Sequence, residues 1–206
     1  MNEQPHPPSQ TPPRRLIVGI SGASGVVYGI RMLEMLRDTD VETHLVMSKS
    51  AEMTLAYETD WKSKDVRALA SVSHPSADIG ASISSGSFKT MGMVIVPCAI
   101  RTMSEIATGV TASLMSRAAD VVLKERRRLV LAVRETPLHG GHLRTMTTLA
   151  DIGAIVAPIV PAFYQRPETV DDIINHSVGR LLDLFGIEVG TVKRWQGGGE
   201  TARAAD

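Results

Sequence analysis

Leu16-Ile17-Val18-Gly19-Ile20, followed at once by Ser21-Gly22-Ala23-Ser24-Gly25, is the stretch on which the fold turns. An unbroken apolar run of this length reads as a strand covered on both faces. The Gly/Ser segment reads as a tight turn. Tyr28, Met32, Met35 and Leu36 then lay an apolar helical stripe along residues 26–36.

The alternation continues outward from that unit. Residues 41–47 read as a second strand, with a helix from about 50 to 58. Residues 71–90, rich in Ser, Gly and Ala, read as an active-site loop or a mobile connection. A buried strand is expected at 91–97, helices near 102–108 and 111–125, and a strand at 129–133. A helix near 141–151, a short strand at 154–160 and a final helix over 169–185 follow, with Gly186 where a C-terminal cap belongs. Strands alternating with helices imply an α/β fold: a doubly wound, mainly parallel sheet with helices on both faces, a Rossmann/flavodoxin-like three-layer sandwich. Ligands of such sheets bind beyond the carboxyl ends of the strands.

Composition narrows the function. A chain of 206 residues suits one domain plus tails. Lys and Arg (22) balance Asp and Glu (22), so no net field favours nucleic acid or an anionic membrane. No apolar run approaches the roughly 20 residues that span a bilayer. Cys98 is the only cysteine, which excludes an intrachain disulfide and a Cys cluster for zinc. Residues 1–13 carry five prolines and no apolar h-region, so they read as a disordered tail and not as a secretory signal. The expected location is the cytoplasm.

Four motifs fall at strand ends. The Gly/Ser turn permits close backbone approach, and the helix after it offers N–H groups to an anion, with Ser21 and Ser24 as hydroxyl donors. Its spacing is neither G-x-G-x-x-G nor a P-loop, and a purely structural turn is the alternative. Ser48-Lys49-Ser50 can meet a ligand or cap a helix, capping being the plainer reading. Pro97-Cys98-Ala99-Ile100-Arg101-Thr102 contains the lone cysteine, which reads as a small packing residue. Arg134-Glu135 can bind an anion and handle a proton; a salt bridge is the alternative. The run 124–128 (Lys-Glu-Arg-Arg-Arg) reads as a solvated helix end, and residues 161–167, with Phe163 and Tyr164, as a pocket wall or subunit contact. His139 and His142 lack a third ligand, so no metal site is expected.

Taken together, Ser21-Gly-Ala-Ser-Gly25, Ser85-Gly86-Ser87, Pro97-Cys98, Arg117-Ala-Ala-Asp120, Leu123-Lys-Glu-Arg-Arg127, Arg134-Glu135, Pro161-Ala-Phe-Tyr164, Arg180 and Arg194-Trp195 resemble the UbiX-type flavin prenyltransferase family, which includes small proteins associated with phenolic acid decarboxylases. The resemblance covers residues 15–195. It implies an enzyme that joins the dimethylallyl group of dimethylallyl phosphate to N5 and C6 of reduced FMN without a metal. Its product, prenylated FMN, serves a UbiD-type decarboxylase. It also implies trimers stacked into dodecamers, with FMN between subunits. The organisation implied is a flavin-binding domain over 14–190 and a C-terminal tail, 191–206, that partly covers the site.

By position, the resemblance gives Gly22, Ala23 and Ser24 to the turn that holds FMN and approaches the substrate phosphate, with Ser24 in the catalytic set. Ser48 and Arg134 match further FMN contacts. Many relatives carry Ser directly after Pro-Cys. With Ala99 here, the flavin phosphate falls to Thr102 or to backbone N–H groups of the segment Ala99, Ile100, Arg101, Thr102. Lys124, Tyr164 and Arg180 match the prenyl-phosphate site, with Arg117 near it. Glu135 matches the acid/base residue at N5, and Trp195 an aromatic that covers the prenyl group. Lys124 and Arg180 would stabilise the leaving phosphate, and the Tyr164 and Trp195 rings would shelter an allylic cation.

Two other readings compete. A flavoprotein of the related Cys-decarboxylase group would consume a thiol-bearing carboxylate, and Arg134-Glu135 with Tyr164 and Arg180 argue against it. A non-enzymatic FMN carrier or structural component of a decarboxylase complex would copurify with a partner and not turn over.

Overall fold

A computed structural model describes residues 14–190. Six strands form one sheet: β1 (Arg15–Ile20), β2 (Glu42–Met47), β3 (Val72–His74), β4 (Gly92–Cys98), β5 (Arg128–Val133) and β6 (Ile155–Val156). Seven helices connect or cover them: α1 (Val26–Leu36), α2 (Lys49–Glu58), α3 (Ser63–Arg67), α4 (Ile100–Thr108), α5 (Leu114–Lys124), α6 (Gly140–Asp151) and α7 (Val170–Asp183). Every strand pairing is parallel, in the order β3-β2-β1-β4-β5-β6. The chain winds outward from β1 in one direction and from β4 in the other, so the switch point lies between β1 and β4, where a ligand crevice is expected.

The sheet is apolar on both sides because both sides are covered. Leu16, Val18 and Ile20 of β1 face a core shared with α1, α2 and α7, while Ile17 faces a second core built with α4, α5 and α6. This alternation is the period-two geometry of a strand. Gly29 shows how close α1 comes. A Cβ there would lie 2.6 Å from the Val96 carbonyl oxygen and 2.7 Å from Ile20 Cδ1.

The sheet is wholly parallel among the described residues. Two short elements, β3 and α3, fall where the sequence shows no periodicity, being too short to display one. The strand expected over 154–160 shrinks to Ile155–Val156, yet the chain keeps its course. The Ala157 and Ile159 N–H groups still donate to the Leu131 and Val133 carbonyls, while Pro158 between them has no N–H to give. Gly186, at φ +67°, takes the left-handed conformation that ends α7.

One polar row is buried on β2 and β3. His44 Nδ1 lies 2.9 Å from His74 Nε2, and His44 Nε2 lies 2.8 Å from a Glu42 oxygen. The other Glu42 oxygen accepts from Arg15 Nε at 3.1 Å. His74 directly precedes the 75–90 segment, so this row pins that segment to the sheet.

Candidate functional site at the switch point

The Gly/Ser turn after β1 is held from two sides. A Cβ on Gly22 would sit 2.4 Å from the Ser50 side chain, so only glycine lets the turn lie against the start of α2. Ser21 is buried. Its hydroxyl donates to the Pro97 carbonyl at 2.8 Å and accepts from the Ala99 N–H at 2.7 Å, stitching β1 to the end of β4. Ser21 is therefore structural and no ligand donor, whereas Ser24 is exposed at the tip of the turn.

The N-terminus of α1 departs from the usual dinucleotide arrangement. Glu58, at the far end of α2, accepts the Gly25 N–H at 2.8 Å and the Val26 N–H at 3.3 Å. A carboxylate thus stands where a phosphate would otherwise be drawn.

The N-cap residue of α4, Ala99, has no side chain to offer and no capping hydrogen bond. First-turn N–H groups of a helix have no intrahelical partner, so Ile100, Arg101 and Thr102 present an uncapped positive end. By contrast α2, α5, α6 and α7 carry their own caps in Ser48, Ser113, His139 and Thr169. Beside α4 opens a cleft of about 400 Å³ lined by Ser48, Ser50, Arg101, Thr102, Ser113 and Met115, among others. Ser48 caps α2 through the Ala51 N–H (3.0 Å), as the capping reading has it, and its hydroxyl also meets that of Ser50 (2.9 Å) on the cleft wall. Arg101 pairs with Glu105 at 2.9 Å on the cleft wall, its side chain mostly exposed.

Arg134 and Glu135 emerge exposed at the carboxyl end of β5, with the Arg134 N–H still bonded to the Cys98 carbonyl at 3.2 Å. Glu135 accepts the Thr136 N–H at 2.9 Å. Both lie one strand over from the α4 terminus. Cys98 itself is wholly buried, and burial pushes its thiol up to about 12, which suits packing and not a nucleophile.

The expected prenyl-phosphate residues form two separate groups in one chain. Lys124 ends α5, four residues ahead of β5, and so lies toward the amino ends of the strands, away from Glu135. There it meets the Ser85-Gly86-Ser87 turn. Lys124 Nζ is 2.6 Å from Glu125, a Cβ on Gly86 would touch both side chains, and Arg127 donates to the Gly86 carbonyl at 2.6 Å. Arg117, on the same helix, is paired with Asp120 at 2.8 Å. Arg180 sits on α7, which packs against α1 with the other core, and Tyr164 lies on the loop after β6. Arg180 is paired with Asp183 at 2.6 Å and lines a cleft of about 220 Å³ with Ala157–Val160 and His176. Trp195 lies outside the described residues.

Relatives decide among the readings. Residues 5–182 match the Flavoprotein family. The flavin prenyltransferase UbiX of Escherichia coli K12 is 62% identical over 187 residues, which span 89% of this chain and 99% of that protein. The chain belongs to the UbiX-type flavin prenyltransferases. Among solved structures, AnUbiX (PadA1) in complex with FMN and dimethylallyl pyrophosphate superposes with a TM-score of 0.88 at 51% identity, covering 89% of this chain and 98% of that one. A dodecameric FMN-dependent UbiX-like decarboxylase from Escherichia coli O157:H7 gives 0.87 at 52% identity, covering 89% and 100%. The FMN-dependent cysteine decarboxylase TvaF reaches only 18% identity at a TM-score of 0.56, over 80% of this chain and 98% of that one, a likeness of fold alone.

Against this flavin prenyltransferase background, some residues escape sequence motifs. Glu58 is separated from the turn it caps by the whole of α1, β2 and α2, and no local pattern marks it. Ser113 and Met115 enter the cleft from the start of α5. His176, on α7, hydrogen-bonds Tyr164 from twelve residues away. A lone His in an amphipathic helix gives no signal of that kind.

Proposed function

We propose that this chain transfers a dimethylallyl group to N5 and C6 of reduced FMN. The observation that carries the site is the uncapped α4 terminus opening into the hydroxyl-lined cleft at the switch point, while Glu58 closes the α1 terminus. That cleft fits a flavin mononucleotide whose phosphate takes the Ile100, Arg101 and Thr102 N–H groups and the Thr102 and Ser48 hydroxyls. The backbone donors offset the hydroxyl missing at Ala99. Gly22, Ala23 and Ser24 then border the flavin from the β1 side and Arg134 from the β5 side.

Reduced flavin and dimethylallyl phosphate are the two substrates: the allylic C–O bond breaks with both electrons leaving on phosphate as that carbon bonds to N5, and the prenyl double bond is then protonated so that its far carbon bonds to C6, which loses its proton. Cations placed on that phosphate stabilise the charge it gains. Lys124, with the Ser85 and Ser87 hydroxyls, is one such group, and Tyr164 with Arg180 is the other; Arg117 stands near the first. Since one chain holds them apart, a complete site takes one group from a neighbouring copy. The dodecameric relative supports such an assembly, and the family resemblance implies that its units are trimers. Glu135 takes the N5 proton, and Trp195 covers the prenyl group.

No helix of the described residues is long and apolar enough to cross a membrane, and no group of three metal-ligating side chains occurs among them. In this reading the reaction runs in the cytoplasm, needs no metal and hands prenylated FMN to a UbiD-type decarboxylase. The test is anaerobic incubation with reduced FMN and dimethylallyl phosphate in a chelator, with mass spectrometry of the flavin. A flavin heavier by one dimethylallyl unit is expected; an unmodified flavin refutes the reading.

A further inference from the structure

Arg127 belongs to the charge run that reads as a solvated helix end, yet its side chain is only 16% exposed. Its Nη1 donates to the Phe88 carbonyl at 2.7 Å and its Nη2 to the Gly86 carbonyl at 2.6 Å. A guanidinium is planar and holds its donors in a fixed fork, so one rigid group sets the direction of both carbonyls.

The backbone of Arg127 is fixed as well. Arg126 takes the left-handed conformation, at φ +57°. Its N–H donates to the Leu123 carbonyl at 3.0 Å, and the Arg127 N–H to the Val122 carbonyl at 2.9 Å. These two bonds are a Schellman ending of α5, the helix whose last residue is Lys124. Arg127 therefore ties the end of α5, and Lys124 with it, to the Ser85-Gly86-Ser87 turn. Lys124 Nζ would lie 2.9 Å from a Cβ on Gly86, so the ammonium and the turn border one place.

Peptide geometry says what the tie does. Ser85 and Ser87 are exposed, with their hydroxyl oxygens 2.9 Å apart. The Gly86–Ser87 peptide is trans, so its carbonyl and its N–H point opposite ways. With the carbonyl turned to Arg127, the Ser87 N–H lies on the other side of the peptide plane. A flipped peptide would turn the carbonyl oxygen outward instead, and glycine opposes such a flip least of all residues. An anion would then meet lone pairs where it needs a donor. We infer that Arg127 is a positioning residue for prenyl transfer: its fork holds the Gly86 and Phe88 carbonyls inward and so presents the Ser85 and Ser87 hydroxyls and the Ser87 N–H to the substrate phosphate beside Lys124. The inference rests on the reading above that this turn and Lys124 serve that phosphate.

The experiment uses the full chain in its native assembly, with saturating reduced FMN and varied dimethylallyl phosphate. Arg127→Met removes the donors at similar length. Arg127→Lys keeps the charge without the fork, and it carries the test should the Met variant fail to fold. The Met variant should raise KM for dimethylallyl phosphate about tenfold, the loss of one hydrogen bond to a charged group, and the Lys variant should keep most of that rise. FMN affinity should stay unchanged in both. Ser85→Ala with Ser87→Ala should raise the same KM, and either Arg127 change added to that pair should cost less than the product of the separate losses. A wild-type KM in the Met variant would leave the fork without effect, and one in the Lys variant would show that charge alone matters; either overturns the inference. So would FMN affinity falling in step with KM, or a full product of losses in the combined variant. A wild-type KM in the serine pair would instead refute the role of the turn on which the inference stands.

Discussion

Glu135 and Cys98 lie at adjoining strand ends and have opposite chemical prospects. Glu135 is exposed, bonded only to its neighbour's N–H among the contacts the structure gives it, and free to take a proton from a ligand over the sheet. Glu135→Gln keeps the shape but removes the base. It should retain FMN and slow single-turnover product formation by about 10²-fold or more; an unchanged rate would exclude Glu135 as the base. Cys98 is buried with its thiol raised to about 12, so it should resist an aromatic disulfide reagent at pH 8 in the native protein and react once unfolded. Fast native labelling would contradict the packing role.

Elements in this fold are placed by close contacts that small residues allow. The α1 helix crosses β1 and β4 at Gly29, where a Cβ would press on the Val96 carbonyl and on Ile20. Neither a backbone carbonyl nor a core isoleucine can move far. Gly29→Ala gains helix propensity but overpacks this crossing, and the net result should be a loss of roughly 1–3 kcal/mol in urea unfolding. A neutral or stabilising change would mean that the crossing has slack. The same contact sets the height of the α1 terminus, and hence of Glu58 and the turn.

At the scale of the whole molecule, acid and assembly both test the design. Burial first, then His44, lowers the His74 pKa in the folded protein below its ordinary value near 6.5. The unfolded chain then binds a proton that the folded one resists. This contribution to stability is complete above about pH 6.5 and fades as pH falls below it. Thermal midpoints should drop between about pH 6.5 and 5, before the carboxylates titrate, and His74→Asn should flatten that slope. An identical slope in the variant would exclude the histidine row as its source. Assembly is tested by mixing. Lys124→Ala and Arg180→Ala should each be impaired, yet subunits of the two reassembled together should regain activity. If each site draws Lys124 and Arg180 from different copies, roughly a quarter of sites become intact by random assortment. No recovery in verified mixed oligomers would place both groups in one chain.

The sequence by itself determined the layers and the family. Apolar runs such as Leu16–Ile20, bounded by a Gly/Ser turn, read as strands covered on both faces, and local order of this kind is visible within a short window of the chain. The Gly/Ser turn, Arg134-Glu135 and the Arg117 to Arg127 stretch were legible because each motif is contiguous. What the tertiary structure alone decided depends on contacts far apart in sequence. Glu58 reaches the Gly25 N–H across 33 residues, which closes the α1 terminus and leaves the α4 terminus uncapped beside the cleft. Ser21 spends its hydroxyl on Pro97 and Ala99, more than 70 residues away, so it serves the scaffold and not a ligand. His176 meets Tyr164 only because a loop brings the phenol back over α7. Lys124 and Arg180 look like one cationic set in the sequence, but the sheet stands between their helices. Side-chain type is a local property, whereas a hydrogen-bond partner or the face of a sheet is fixed only when the chain closes on itself.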